Sequence, residues 1–106
     1  MNNQIAVNLL SILGSDVRLP IFKMLIQAGE KGLNPKYISD ELAIKPNKLS
    51  FHLNGLKKSE LIRCVKKGRE MVYYANYQTT RNLVEYLFDN CCNDDETDCL
   101  DVNLCN

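Results

Sequence analysis

Five cysteines mark where chemistry is concentrated in this chain of 106 residues. Cys91, Cys92, Cys99 and Cys105 fall within the last 16 residues, while Cys64 stands alone in the remainder. Thiolates are soft donors, so four of them crowded into a short stretch favour metal or redox chemistry over packing. More than one chemistry fits the set. Four sulfurs are a full tetrahedral complement for Zn or Cd, although the paired C-x-x-C spacing usual for zinc is missing. A thiol switch needs a lowered pKa, and no Lys, Arg or His stands next to Cys91 and Cys92 to lower it. Cys64, within a run of β-formers, reads as a core residue.

Charge is divided along the same line. Residues 1–81 hold all 13 Lys and Arg against six acids, a balance of +7, and residues 82–106 hold seven acids and no Lys or Arg, a balance of −7. A formal net charge of zero therefore hides an asymmetry that suggests a polyanion-binding body with an acidic tail, the alternative being an ordinary solvated surface. Enzymatic chemistry has little to work with. The chain has one histidine, no Gly-rich phosphate loop, and no nucleophile with an evident base and orienting group.

The elements that must position these groups can be read from periodicity. At 45% hydrophobic and 25% charged residues the composition is that of one globular domain, and the longest apolar runs are far short of a bilayer span. The N-terminus MNNQIAVNLLSILGSD lacks a basic n-region and a small-residue cleavage site, so the chain is expected in the cytoplasm. Ile5, Leu9, Ile12 and Leu13 form a helical stripe from Gln4 to Leu13. Ser15 is a candidate N-cap for a second helix ending near Gly29, with Pro20 forcing a late start near Arg18 or a bend. Asn34 and Pro35 open a short helix through Leu42, and after a turn at Ala43 to Lys45 a further helix starts at Pro46. Leu49, Leu53 and Leu56 give that helix its inner face. Leu61 to Lys66 and Glu70 to Ala75 read as a β-hairpin around Lys67, Gly68 and Arg69, and Thr79 or Thr80 can cap a last helix carrying Leu83, Val84, Leu87 and Phe88. The order is helix, helix, helix-turn-helix, hairpin, helix. The predicted fold is therefore mainly α (α+β), a winged helix-turn-helix with an additional helix at each end, divided into residues 1–90 and an acidic cysteine-rich tail, 91–106.

From about residue 5 to 92 the sequence resembles the ArsR/SmtB family of bacterial metal-responsive repressors. LSFHLNGL at 49–56 matches the family's recognition-helix signature and KKGREMVYYAN its wing. The resemblance implies a homodimeric, cytoplasmic repressor on double-stranded operator DNA. Two reading helices in a dimer would face an inverted repeat with half-sites about one helical turn apart. On the outer side of the reading helix, Asn47 suits adenine, Ser50 a base edge or a phosphate, and Phe51 a thymine methyl, with Lys48 beside them. His52 matches the pattern too, as an orienting group satisfied by backbone or as a contact. Lys66, Lys67 and Arg69 can reach phosphates or the minor groove, or form a solvated hairpin tip. Lys36 is a further phosphate candidate, as are Lys57 and Lys58, which could instead compensate a helix dipole. The terminal helices are expected to pair across a two-fold axis through Leu9, Leu13, Leu83, Leu87 and Phe88.

Two sensory sites known in the family are missing from the sequence. PKYISDEL lacks the Cys-x-Cys of the third-helix arsenic site, and TTRNLVEYLFDN lacks the histidine of the C-terminal-helix zinc site. DNCCNDDETDCLDVNLC resembles instead the arsenic-repressor variant in which Asn-Cys-Cys and a following cysteine bind arsenite. The resemblance implies As(III) or Sb(III) as inducer, held in a trigonal pyramid by Cys91, Cys92 and either Cys99 or Cys105. Zn or Cd, then thiol oxidation, are the alternatives.

Overall fold

Helix α1 (Asn3–Leu13) begins where the Asn2 side chain accepts the Ile5 N–H at 2.8 Å, and it ends at Gly14. These features come from a computed structural model that describes residues 1–89. Helix α2 (Arg18–Ala28) starts late, as Pro20 requires, because Ser15 Oγ accepts the N–H groups of Val17 and Arg18 at 3.2 and 3.1 Å and forms a turn ahead of the helix. Pro20 then occupies the first turn, where N–H groups have no intrahelical partner, so it breaks nothing.

A 3-10 turn, Gly29–Lys31, leads to α3 (Pro35–Leu42), and α4 (Pro46–Lys58) follows. Strands β1 (Ile62–Lys67) and β2 (Glu70–Ala75) pair antiparallel in one two-stranded sheet, with Lys67 opposite Glu70. Gly68 has φ 64°, while Arg69 does not share the positive φ. That combination fits a two-residue type II′ turn, whose first position favours glycine. The strand therefore runs one residue further than the sequence suggests, and the turn is two residues rather than three. Helix α5 (Tyr77–Phe88) also starts earlier than expected. Asn76 caps it by accepting the Thr79 N–H at 3.4 Å, which leaves Thr79 and Thr80 inside the first turn.

One apolar core joins all the helices. Ile21, Leu25, Ile38, Leu56 and Leu61 are fully buried, with Leu49, Leu53 and Ile62 nearly so. Gly32 lets the α2–α3 connection lie flat on β2, since a Cβ there would stand 2.6 Å from Tyr74 and 2.7 Å from Val72. Its backbone, φ 64° and ψ −177°, lies in a region essentially restricted to glycine. Leu33 then exchanges backbone hydrogen bonds of 2.9 and 2.8 Å with Tyr73, fixing the hairpin against the helical body. Leu9 and Leu83 belong to this core at 2% and 5% exposure, which corrects their assignment to an inter-subunit seam. A helical stripe reveals that a face is buried but not whether the partner lies in the same chain. Among the described residues no single helix is long and apolar enough to cross a membrane.

Candidate nucleic-acid interface

The turn between α3 and α4 is held by short-range bonds. Asn34 accepts the Tyr37 N–H at 2.8 Å, which sets the start of α3. At its end, Ala43 adopts a left-handed conformation, the Ile44 N–H reaches the Ser39 carbonyl at 3.1 Å, and Ser39 Oγ donates back to the Ile44 carbonyl. Pro46 restarts the chain as α4, whose Leu49, Leu53 and Leu56 enter the core. Burying that leucine face turns Asn47, Lys48, Ser50 and Phe51 outward, and all four are exposed. Phe51 is 70% exposed, the most of any large hydrophobic side chain among the described residues. An apolar ring left in water on the face of a helix-turn-helix can pack on a thymine methyl.

Asn47 is less free than its exposure implies. Its Oδ1 accepts the Lys48 N–H at 2.9 Å, so a two-bond contact to adenine would require giving up that bond. The N-cap, Lys45, makes no side-chain hydrogen bond, Pro46 has no N–H, and Asn47 takes the Lys48 N–H, so the Asn47 N–H alone in the first turn of α4 is left without a partner among the described residues. A groove of about 390 Å³ between α3 and α4 is lined by Pro35, Lys36, Ser39 and Asp40 on one side and Pro46, Leu49 and Ser50 on the other.

His52 departs from the expected role as a group satisfied by backbone. Its Nδ1 is buried with no hydrogen-bond partner among the described residues. Burial, and then the positive charges of Arg18 and Lys48, hold its pKa below the ordinary histidine value. Arg18 Nε itself donates to the Ile12 carbonyl at 2.8 Å, so one side chain links the end of α1 to the neighbourhood of the reading helix. No local pattern encodes this influence of Arg18 on His52, because 34 positions separate the two residues.

In the wing, strand alternation sends Lys66 and Lys67 to opposite faces of the ribbon. Lys67 Nζ lies 5.4 Å from the Tyr74 ring centroid, and the Arg63 guanidinium lies 5.6 Å from the same centroid. Arg63 is thus a further cation of the wing, outside the hairpin tip. Lys66 and Arg69 project from the exposed end. Lys36 pairs with Asp40 at 3.0 Å, the only salt bridge among the described residues. Both partners are exposed, so the pair is weak enough to open for a phosphate. Lys57 and Lys58 occupy the last turn of α4, where they also face the helix dipole.

Cys64 is half-buried opposite Tyr73 rather than in the core. Burial, and then the neighbouring Cys64, raise the Tyr73 phenol pKa. Cys91, Cys92, Cys99 and Cys105 lie outside the described residues, and no metal-ligand cluster occurs among residues 1–89.

The sequence family described as a helix-turn-helix domain matches residues 13–65, half of the chain. The chain belongs to the helix-turn-helix domain family. No curated protein matches this helix-turn-helix chain. Among solved structures it is similar to an ArsR-like transcriptional regulator from Rhodococcus sp. RHA1, with TM-score 0.70 and 23% identity over 79% of this chain and 76% of that one. It is also similar to HlyU from Vibrio cholerae N16961, with TM-score 0.68 and 26% identity over 87% of this chain and 99% of that one. A third is the homodimeric winged helix-turn-helix DNA-binding domain of Mb0332 from Mycobacterium bovis, with TM-score 0.66 and 19% identity over 82% of this chain and 81% of that one. The fold of this helix-turn-helix chain is thus the winged helix expected from its sequence.

Proposed function

We propose that the chain is a dimeric transcriptional repressor of the ArsR/SmtB type, which binds operator DNA and is released when As(III) or Sb(III) binds its tail thiolates. The observation that carries the DNA-binding half is the outward face of α4, where Lys48, Ser50 and a water-exposed Phe51 stand over a leucine face that fixes their orientation. In this reading Lys66 and Arg69 of the wing are the cations that meet the flanking backbone. Enzymatic activity is not part of this reading.

Support for a dimer comes from exposed apolar side chains on both terminal helices, Ile5, Val7 and Leu10 on α1 and Val84 and Leu87 on α5. The homodimeric Mb0332 domain shares the fold. The sensing half rests on the cysteine set of the tail. Three thiolates suit the trigonal geometry of As(III), with Cys91 and Cys92 as two donors and Cys99 or Cys105 as the third.

The test is titration of arsenite, antimonite, Zn and Cd into the reduced protein bound to its promoter fragment, with release from DNA as the readout. Arsenite is expected to release the wild type. Cys91→Ser or Cys92→Ser should stay bound at the same arsenite concentration, because a hydroxyl does not replace a thiolate. Release of the Cys91→Ser protein at the wild-type concentration would overturn the tail site. Release by Zn or Cd alone would keep the site and change the ion.

A further inference from the structure

The body of this chain carries cations that find no counter-charge in it. Among the described residues Lys36 alone is ion-paired, although residues 1–81 hold 13 Lys and Arg. Several of the others, Lys48 on α4 and Lys66 and Arg69 on the wing, are exposed and belong to the two elements read above as the DNA-binding surface. The same chain carries Asp94, Asp95, Glu96, Asp98 and Asp101 within eight residues, with no Lys or Arg among them.

We propose that the acidic segment 94–101 docks on this reading face and competes there with DNA. The proposal rests on the DNA-binding reading above, since it gives the segment the place of the phosphates. Five carboxylates in eight residues approach the linear charge density of a single nucleic-acid strand. Reach does not oppose it. Asp94 and Asp101 lie five and twelve residues beyond Asp89, which at roughly 3.4 Å per extended residue gives them reaches of about 17 and 41 Å. The end of the segment can thus cross the two shorter dimensions of the structure, 27 and 24 Å. Tethering gives the segment an effective concentration on the order of millimolar, so an individually weak contact suffices. Because the cations are exposed, salt screens the contact over about 10 Å at 0.1 M.

The segment thus sets a threshold. Random DNA, held only through phosphates, competes poorly with it, while an operator adds base contacts that the acidic segment does not imitate. The tail sharpens discrimination between operator and random sequence without touching a base.

The experiment neutralises the segment in the full chain by Asp94→Asn, Asp95→Asn, Glu96→Gln, Asp98→Asn and Asp101→Asn, keeping every cysteine. Binding of reduced protein to a random duplex and to the promoter fragment is measured from about 50 mM to 500 mM salt, with amide NMR spectra of both proteins recorded without DNA. The neutralised chain should bind random DNA about 5- to 10-fold more tightly at the lowest salt, gain less on the promoter, and converge with the wild type at the highest salt. Without DNA, the two spectra should differ at Asn47–Phe51 and Lys66–Arg69. Equal affinities would overturn the proposal. Tighter binding with no spectral difference at those residues would also overturn it, leaving only long-range repulsion of DNA by a negative tail. If neither protein binds any DNA, the DNA reading fails, and the spectra still decide whether the segment docks.

Discussion

A single buried nitrogen makes His52 unusual among the residues of α4. Its Nδ1 has no partner among the described residues, and Arg18 and Lys48 place positive charge beside it, so the neutral ring is the favoured form. The sign of the pH effect follows. With the folded pKa below the ordinary value of 6.5, the unfolded chain binds more protons than the folded chain between those two values. The stability tied to neutral His52 is present in full above about pH 6.5 and is lost as pH falls through the folded value. Thermal unfolding followed from pH 7.5 to 5.5 should show this decline, and His52→Gln should flatten it. An unchanged decline in the variant would mean that other groups cause it. The sequence placed His52 on the reading helix because the leucine spacing is local. The partner it would have through backbone, and the charge that Arg18 brings to it, depend on the crossing of α1, α2 and α4, which no local pattern encodes.

Elements were most legible where a side chain acts on its own turn. Asn34 and Pro35 opened α3 and Pro46 opened α4 as the sequence indicated, because capping and proline geometry involve neighbours within four residues. Asn76, rather than either threonine that follows it, caps α5, because asparagine is at least as good a cap and precedes them in the chain. The wing shows a different limit. Lys66, Lys67 and Arg69 fall within four residues of one another, yet strand alternation parts Lys66 from Lys67, and Lys67 leans over the ring of Tyr74. Lys66 and Arg69 are therefore the pair expected to meet phosphates. Replacing both with Ala should weaken binding to operator and random duplex alike and reduce the salt slope by about 0.9 per lost contact. Ser50→Ala, on the reading helix, should instead lower binding to operator more than to random DNA. Titrations at several salt concentrations separate the two effects. An unchanged slope in the wing variant would remove the wing from the interface.

At the scale of the whole molecule, the terminal helices divide their apolar residues between two tasks. Ala6, Leu9 and Leu83 close the protomer core. Ile5, Val7, Leu10, Val84 and Leu87 stay at 39–56% exposure. A stripe in the sequence merges the two sets, and only the packing of α1 against α5 separates them. This determines which substitution tests the dimer. Leu9→Glu would bury an unpaired carboxylate inside the protomer, at a cost of several kcal/mol, and so would unfold the chain whether or not it dimerises. Leu87→Glu changes a side chain that is 56% exposed in the protomer, and its carboxylate loses water only if a second copy covers it. Sedimentation of Leu87→Glu should show a folded monomer with a thermal midpoint that no longer rises with protein concentration. Operator affinity should fall with it, since one monomer spans a single half-site and forgoes the second reading helix. A dimer that survives Leu87→Glu would place the interface away from α5, and the coupling between the tail cysteines and DNA release would then need a route that does not pass through that seam.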